Sequence, residues 1–239
     1  MAVEHVPDTR SSSLKVALDG MFATLGLSMS NLRGQGYDGA SNMRGEFRGL
    51  QRLILEENPS AHYIHCFAHQ LQLVVVAVAK CCSTVRDFFG YTSMVVNIVN
   101  ASCKRHDQLS QEQHDEIVRQ IEAGELLEGK GKNQLTNLAR PGDTRWGSHH
   151  KTLCRLVEMW KPVLKVLENL HNDADNVAQR TTAAGLIKQM ESFEFVLILH
   201  LMITLLGKTN NLSQCLQLKN QNILRAVGLI KTTLDDIQK

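Results

Sequence analysis

Two short extended segments, Leu32–Tyr37 and His62–His65, carry the strand signals of this chain, and after Ser83 such signals end. A chain patterned that way folds as a small α/β part followed by helices, because every later apolar pattern repeats at helical spacing. With 16 Gly and 4 Pro in 239 residues, breakers fall below the roughly 12% of average usage. Ser11-Ser12-Ser13 precede the stripe Leu14, Leu18, Met21, Phe22 and Leu25, which predicts a hydroxyl-capped amphipathic helix closing near Gly26. Leu32–Tyr37 then runs into the polar turn Asp38-Gly39-Ala40-Ser41-Asn42. Phe47, Leu50, Leu53 and Ile54 mark a helix stopped by Asn58-Pro59. His62–His65 reads as a buried strand, and the apolar run Cys66–Lys80 as a buried helix.

Helices are expected over Val85–Ala101 and His106–Glu122. The segment from Gly124 to Pro141, rich in glycine, is the expected linker, about 123–143. Asp143-Thr144 should cap a long helix with apolar positions 153, 156, 157, 160, 163, 167 and 170, kinked or divided by Pro162. Two or three more helices fill 176–239. In the last, Leu216, Ile223, Val227, Ile230, Leu234 and Ile237 form a seam suited to a partner helix or to another part of the fold.

Composition excludes several classes. An apolar content of 43% and a net charge of +2 argue against disorder and give no field that selects nucleic acid or a membrane. Phe195–Leu206, the longest apolar stretch, is shorter than the ~20 residues a bilayer requires, and the N-terminus lacks export-signal features. Six cysteines without framework spacing point to reduced thiols inside a cell. The total charge averages opposites: residues 104–130 hold four basic and seven acidic side chains, whereas 143–165 hold five basic and two acidic.

Three clusters carry candidate chemistry. Gly34–Met43 sets Asp38 at a strand end among small residues, where a carboxylate can bind a hard divalent cation or close an Asp-Gly turn on its own backbone. His62–His69 holds several potential zinc ligands, Cys66 and His69 at half-site spacing among them. A structural zinc site needs a second pair, and Cys81-Cys82 lie about four helical turns away, ~22 Å. Cys66 is therefore read as a small buried residue at a helix start, with His69 one turn on facing a polar cleft or the core. Asp143–Lys151 joins Arg145 and Trp146 to basic residues and histidines. That pattern can stack a base and hold a phosphate, with Trp146 as a core anchor being the alternative.

In this order, Gln35–Met43, then His65-Cys66-Phe67-Ala68-His69-Gln70-Leu71-Gln72-Leu73, then Thr144-Arg145-Trp146, the chain resembles the hAT superfamily of transposases. The likeness is to the branch of transposase-derived proteins with TTF-type or MYM-type zinc fingers, of the zinc finger MYM-type protein 1-like kind. It spans nearly the whole chain and weakens after about residue 205. The resemblance implies a mainly α chain with a small α/β part: a partial ribonuclease H-like core over 1–82, interrupted by an all-helical insertion over 83–239.

It further implies that Asp38 is the second acid of an Asp-Asp-Glu metal triad, that Cys66 and His69 lie near that site, and that Arg145 and Trp146 belong to the insertion. A complete relative would use Mg2+ or Mn2+. The family's first aspartate is expected on a strand before residue 1, and its glutamate beyond the insertion. Asp8 reads as helix-entry chemistry, and neither Glu191 nor Glu194 takes the glutamate's place. The zinc finger and the dimerisation region of the family are not matched. The expectation is thus a catalytically incomplete, non-cleaving domain that binds no metal tightly through Asp38 alone. Residual DNA contact is expected through Arg145, Trp146 and Lys151, in a nuclear setting with no membrane partner. The alternatives are a fragment of an active transposase and a helical interaction module built on the 216–237 seam.

Overall fold

The computed structural model describes residues 4–45, 48–126, 134–142, 146–173 and 176–238, except for the side chain of Trp146. As expected, the fold is mainly α with a small α/β part. The described residues contain one two-stranded sheet, in which β1 (Gly34–Tyr37) and β2 (His62–His65) run parallel with Tyr37 opposite His65. From Phe67 onward the described elements are all helices. The chain divides into two compact units: Met1–Val74 with Leu216–Lys219, and Val75–Cys215 with Asn220–Lys239. The division falls inside α4 (Phe67–Cys81).

In the first unit, α1 (Ser11–Thr24) ends as its stripe predicts, with Gly26 at φ 65°, a backbone region that costs glycine little. Its entry differs from expectation. The serines lie inside the first turn, and the Asp8 carboxylate accepts the Arg10 N–H at 2.8 Å. That bond, with one from the Ser13 hydroxyl, holds Asp8 below the usual carboxylate range. A 3-10 turn at Met29–Asn31, α2 (Ser41–Arg44) and α3 (Leu50–Glu57) complete the unit. Met29, Leu50, Ile54 and Ala61 form its core, with Leu14, Leu18, Phe22, Leu32, Tyr37 and Met43 packed around them.

Amides brace this small core. Asn58 donates from Nδ2 to the carbonyls of Met29 (2.8 Å) and Leu32 (2.7 Å), and Gln35 donates to those of Ala61 (2.9 Å) and Gln51 (3.2 Å). Lys15 pairs with Asp19 one turn on in α1 and ties that helix to α3 through Glu57, both at 2.6 Å. Two burial expectations fail here. His62 and Ile64 are exposed, because the period-2 pleat of β2 leaves one face open while Tyr63 and His65 are half covered. Within α4, Leu73, Val74 and Val78 are exposed, and Ala68 and Ala79 carry the burial.

The second unit contains α5 (Ser83–Val99), α6 (Cys103–Glu122), α7 (Trp146–Glu158), α8 (Trp160–Asp173), α9 (Val177–Met190), α10 (Phe193–Leu216) and α11 (Ile223–Gln238). Pro162 divides the long helix as predicted. It has no N–H for the carbonyl four residues back, and the break falls at Met159, between α7 and α8. The stretch 134–142 has no regular structure yet is pinned. Leu138 is fully buried and its carbonyl accepts from Asn100 Nδ2 at 2.7 Å, while Thr136 exchanges hydrogen bonds with Gln113.

Helix α10 corrects the membrane arithmetic. At 24 residues it is long and apolar enough to cross a bilayer by length and composition, because the helix continues through Gly207–Asn211 beyond the apolar stretch. Phe195, Ile198, Leu199, Met202 and Leu206 from that helix pack into the core of its own unit. Helix α11 buries Ala226, and Lys208 donates to the Asp236 carbonyl. Its seam of Ile223, Val227, Ile230, Leu234 and Ile237 is exposed.

Candidate functional site at the end of the strand pair

Parallel pairing in this register ends both strands together, so the residues that follow them meet. The Cys66 N–H donates to the Tyr37 carbonyl at 2.9 Å. This fixes the start of α4 beside the turn after β1. In that turn Asp38 Oδ1 accepts the Ala40 N–H at 3.1 Å, and the Tyr63 hydroxyl donates to the Asp38 carbonyl at 3.3 Å. Tyr63 also stacks on Tyr37, with ring centroids 6.2 Å apart.

Two imidazoles close the site. His65 and His69 lie 5.5 Å apart, centroid to centroid. A methyl group at Gly39 would stand 3.0 Å from Cε1 and Nε2 of His65 and 3.7 Å from Cδ2 of His69. Glycine is therefore what lets the His65 ring lie against the Asp38–Gly39 turn. The ring's Nε2 is buried with no hydrogen-bond partner. Burial pushes the His65 pKa down, the positive fields of His69 and Arg44 push it further, and Asp38 opposes them. Burial likewise raises the Tyr63 phenol, against the pull of Arg44.

The structure thus sets the Asp38–Gly39 turn against His65 and His69, and Cys66 is half-buried rather than buried. Arg44, Tyr63 and His65 complete the cluster without having been assigned roles from sequence. The signal for them was available: aligning the C-terminal ends of two parallel strands sets His65 opposite the residue before Asp38. Among the described residues, no group of three or more His, Cys, Asp or Glu side chains could hold a metal ion. Two cations ~3.5–4 Å apart require several bridging carboxylates. One carboxylate beside two imidazoles does not fit that demand.

The second expected site falls largely outside the described residues. Arg145, with the proposed cap Asp143-Thr144, is not among them, and Trp146 opens α7 without a described side chain. Lys151 is exposed on α7. The neighbouring histidines serve packing within the unit. His149 meets Phe89 edge-on at 5.3 Å, and His150 Nε2 lies 3.6 Å from Cys154 Sγ. A methyl at Gly207 would stand 3.1 Å from His150 Nε2.

Residues 1–49 match the family model described as DUF4371: ZMYM1/FAM200, RNase-like domain. The matched stretch holds α1, β1, the Asp38 turn and α2, and it ends before α3 and β2. No solved structure matches the chain.

Proposed function

We propose that this chain is a transposase-derived, ribonuclease H-like domain of the hAT kind that does not cut DNA and retains DNA contact. The observation that carries the reading is the RNase-like family match across the strand–turn–helix bearing Asp38. On this reading Asp38 takes the place of the second acid of a metal triad, and the Gly39 turn beside it lies against His65 and His69. The donors around Asp38 do not fit a two-cation site, which supports a non-cleaving role and gives Mg2+ or Mn2+ no step here. Arg145, Trp146 and Lys151 are proposed to hold DNA, with a nuclear location following from the same likeness.

Incubation of the chain with Mg2+ or Mn2+ and terminal-repeat DNA is expected to give no nicks or hairpins. Nicking abolished by Asp38→Ala would overturn the non-cleaving assignment. Binding should weaken with salt, since phosphate contacts release counterions, and Arg145→Ala and Trp146→Ala should each reduce it. Unaltered binding in both variants rejects that assignment. The exposed seam of α11 favours a second reading, a helical interaction module. Leu234→Asp that leaves sedimentation and partner capture unchanged would count against it.

A further inference from the structure

Helices α6, α8 and α9, all within the second unit, line a cavity of about 320 Å³, and every described lining residue except Leu170 is polar or charged. Ser102, Lys104 and Arg105 come from the start of α6, Asp173 from the end of α8, and Asn176 and Gln179 from the start of α9. Among the described residues, Lys104 and Arg105 form no ion pair. The side-chain bond of Arg105 runs from Nε to Ser102 Oγ at 3.3 Å, and both residues line the cavity. Two cations, a hydroxyl and four amides (Gln108, Asn169, Asn176 and Gln179) surround the open volume, with Asp173 the one acid among the described lining residues. The first turns of α6 and α9 add partial positive charge at the same place.

We propose that this cavity is a phosphate-binding site, taking the phosphate of a nucleotide or of a nucleic-acid backbone. Guanidinium and ammonium donors match the oxygens of such a group, and charge-assisted bonds are the strong ones. The amides and Ser102 supply neutral donors at its margin. Asp173 faces the same space and opposes an anion, which limits affinity and provides a test that packing alone does not offer. Its lining residues are other than Arg145, Trp146 and Lys151, so the assignment stands whether or not those three hold DNA.

Amide spectra of the whole chain, recorded while adding inorganic phosphate, then adenosine monophosphate, then a short DNA duplex at fixed ionic strength, test the assignment. Shifts are expected at the amides of 103–105 and 177–179 with phosphate. Larger responses to the mononucleotide or to the duplex identify which source the site prefers. The Lys104→Ser, Arg105→Ser double variant should bind about tenfold more weakly or worse, as the loss of charged donors implies, with helical content unchanged. Asp173→Asn should bind several-fold more tightly. No shift at these amides with any of the three probes, or an Asp173→Asn variant that binds more weakly, would overturn the proposal.

Discussion

The two units hold themselves together by different means. In the second, twenty described apolar residues join one buried cluster, with Leu156, Met159, Val163, Val166 and Leu167 of α7, α8 and the break between them fully covered. In the first, four buried apolar residues suffice, and the buried amides Gln35 and Asn58 do much of the bracing through backbone carbonyls. A two-stranded sheet is marginal by itself, and β1 and β2 each have one paired edge among the described residues. The Asp38 cluster with His65 and His69 therefore sits on the lightly packed unit, while the helical unit has a larger buried apolar core. Sites are commonly built on the less stable parts of a fold, since the groups that act must be reachable.

The contrast is most open to attack in the cores. Leu167→Ala should cost about 2–5 kcal/mol, in the upper part of that range, because a fully enclosed site collapses little around a cavity. Ile54→Ala should fall toward the lower part, since a four-residue core relaxes more readily. Denaturant unfolding with probes in each unit measures both. An Ile54→Ala cost equal to or above that of Leu167→Ala would break the comparison.

A smaller effect sharpens it at the site. Gly39→Ala sets a methyl 3.0 Å from the His65 ring, whereas at Gly34 the nearest atom is the His62 carbonyl at 3.8 Å, ordinary contact. Overpacking of this kind costs about 1–3 kcal/mol, so Gly39→Ala should destabilise the first unit more than Gly34→Ala. It should also move the His65 ring resonances. If the two substitutions cost the same and His65 is undisturbed, Gly39 does not seat the imidazole.

Much of this architecture was legible in the sequence. Period-3.6 stripes located α1, α5 and α6, Pro162 marked the break between α7 and α8, and the glycine-flanked Tyr37-Asp38 marked a strand running into a turn. What stayed hidden depended on partners distant in sequence. Burial of β2 and α4 was overestimated because an apolar run shows what can be covered, not whether a neighbour covers it. The packing of His149 on Phe89 and of His150 beside Gly207 needs helices 60 and 57 residues away in the chain. Similarly, the anchoring of 134–142 rests on Asn100 and Gln113, polar residues whose pattern resembles any solvated helix face. A glycine-rich composition predicts easy turns, and it does not reveal that Leu138 will be fully buried.

The smallest expected effect concerns the polar surface of the deeper-cored unit. Glu116 on α6 accepts from Arg119 at 2.7 Å and from Lys161 on α8 at 3.0 Å, and its side chain is 16% exposed. Hydrogen bonds from Arg119, then Lys161 and Gln120, overcome burial and hold its carboxyl down at about 2, from an ordinary 4.5. A carboxyl depressed in the folded state contributes stability that is complete above its unfolded value and is lost as pH falls toward its folded value. Because its partners are largely exposed, Glu116→Gln should cost only about 0.2–1 kcal/mol at neutral pH. That cost should shrink as pH falls from 4.5 towards 2, and shrink with added salt at neutral pH. A cost independent of pH across this window would mean that the carboxylate's charge contributes nothing. The second unit would then owe nothing to this ion pair, and the difference between the two units would rest more heavily on the apolar cluster.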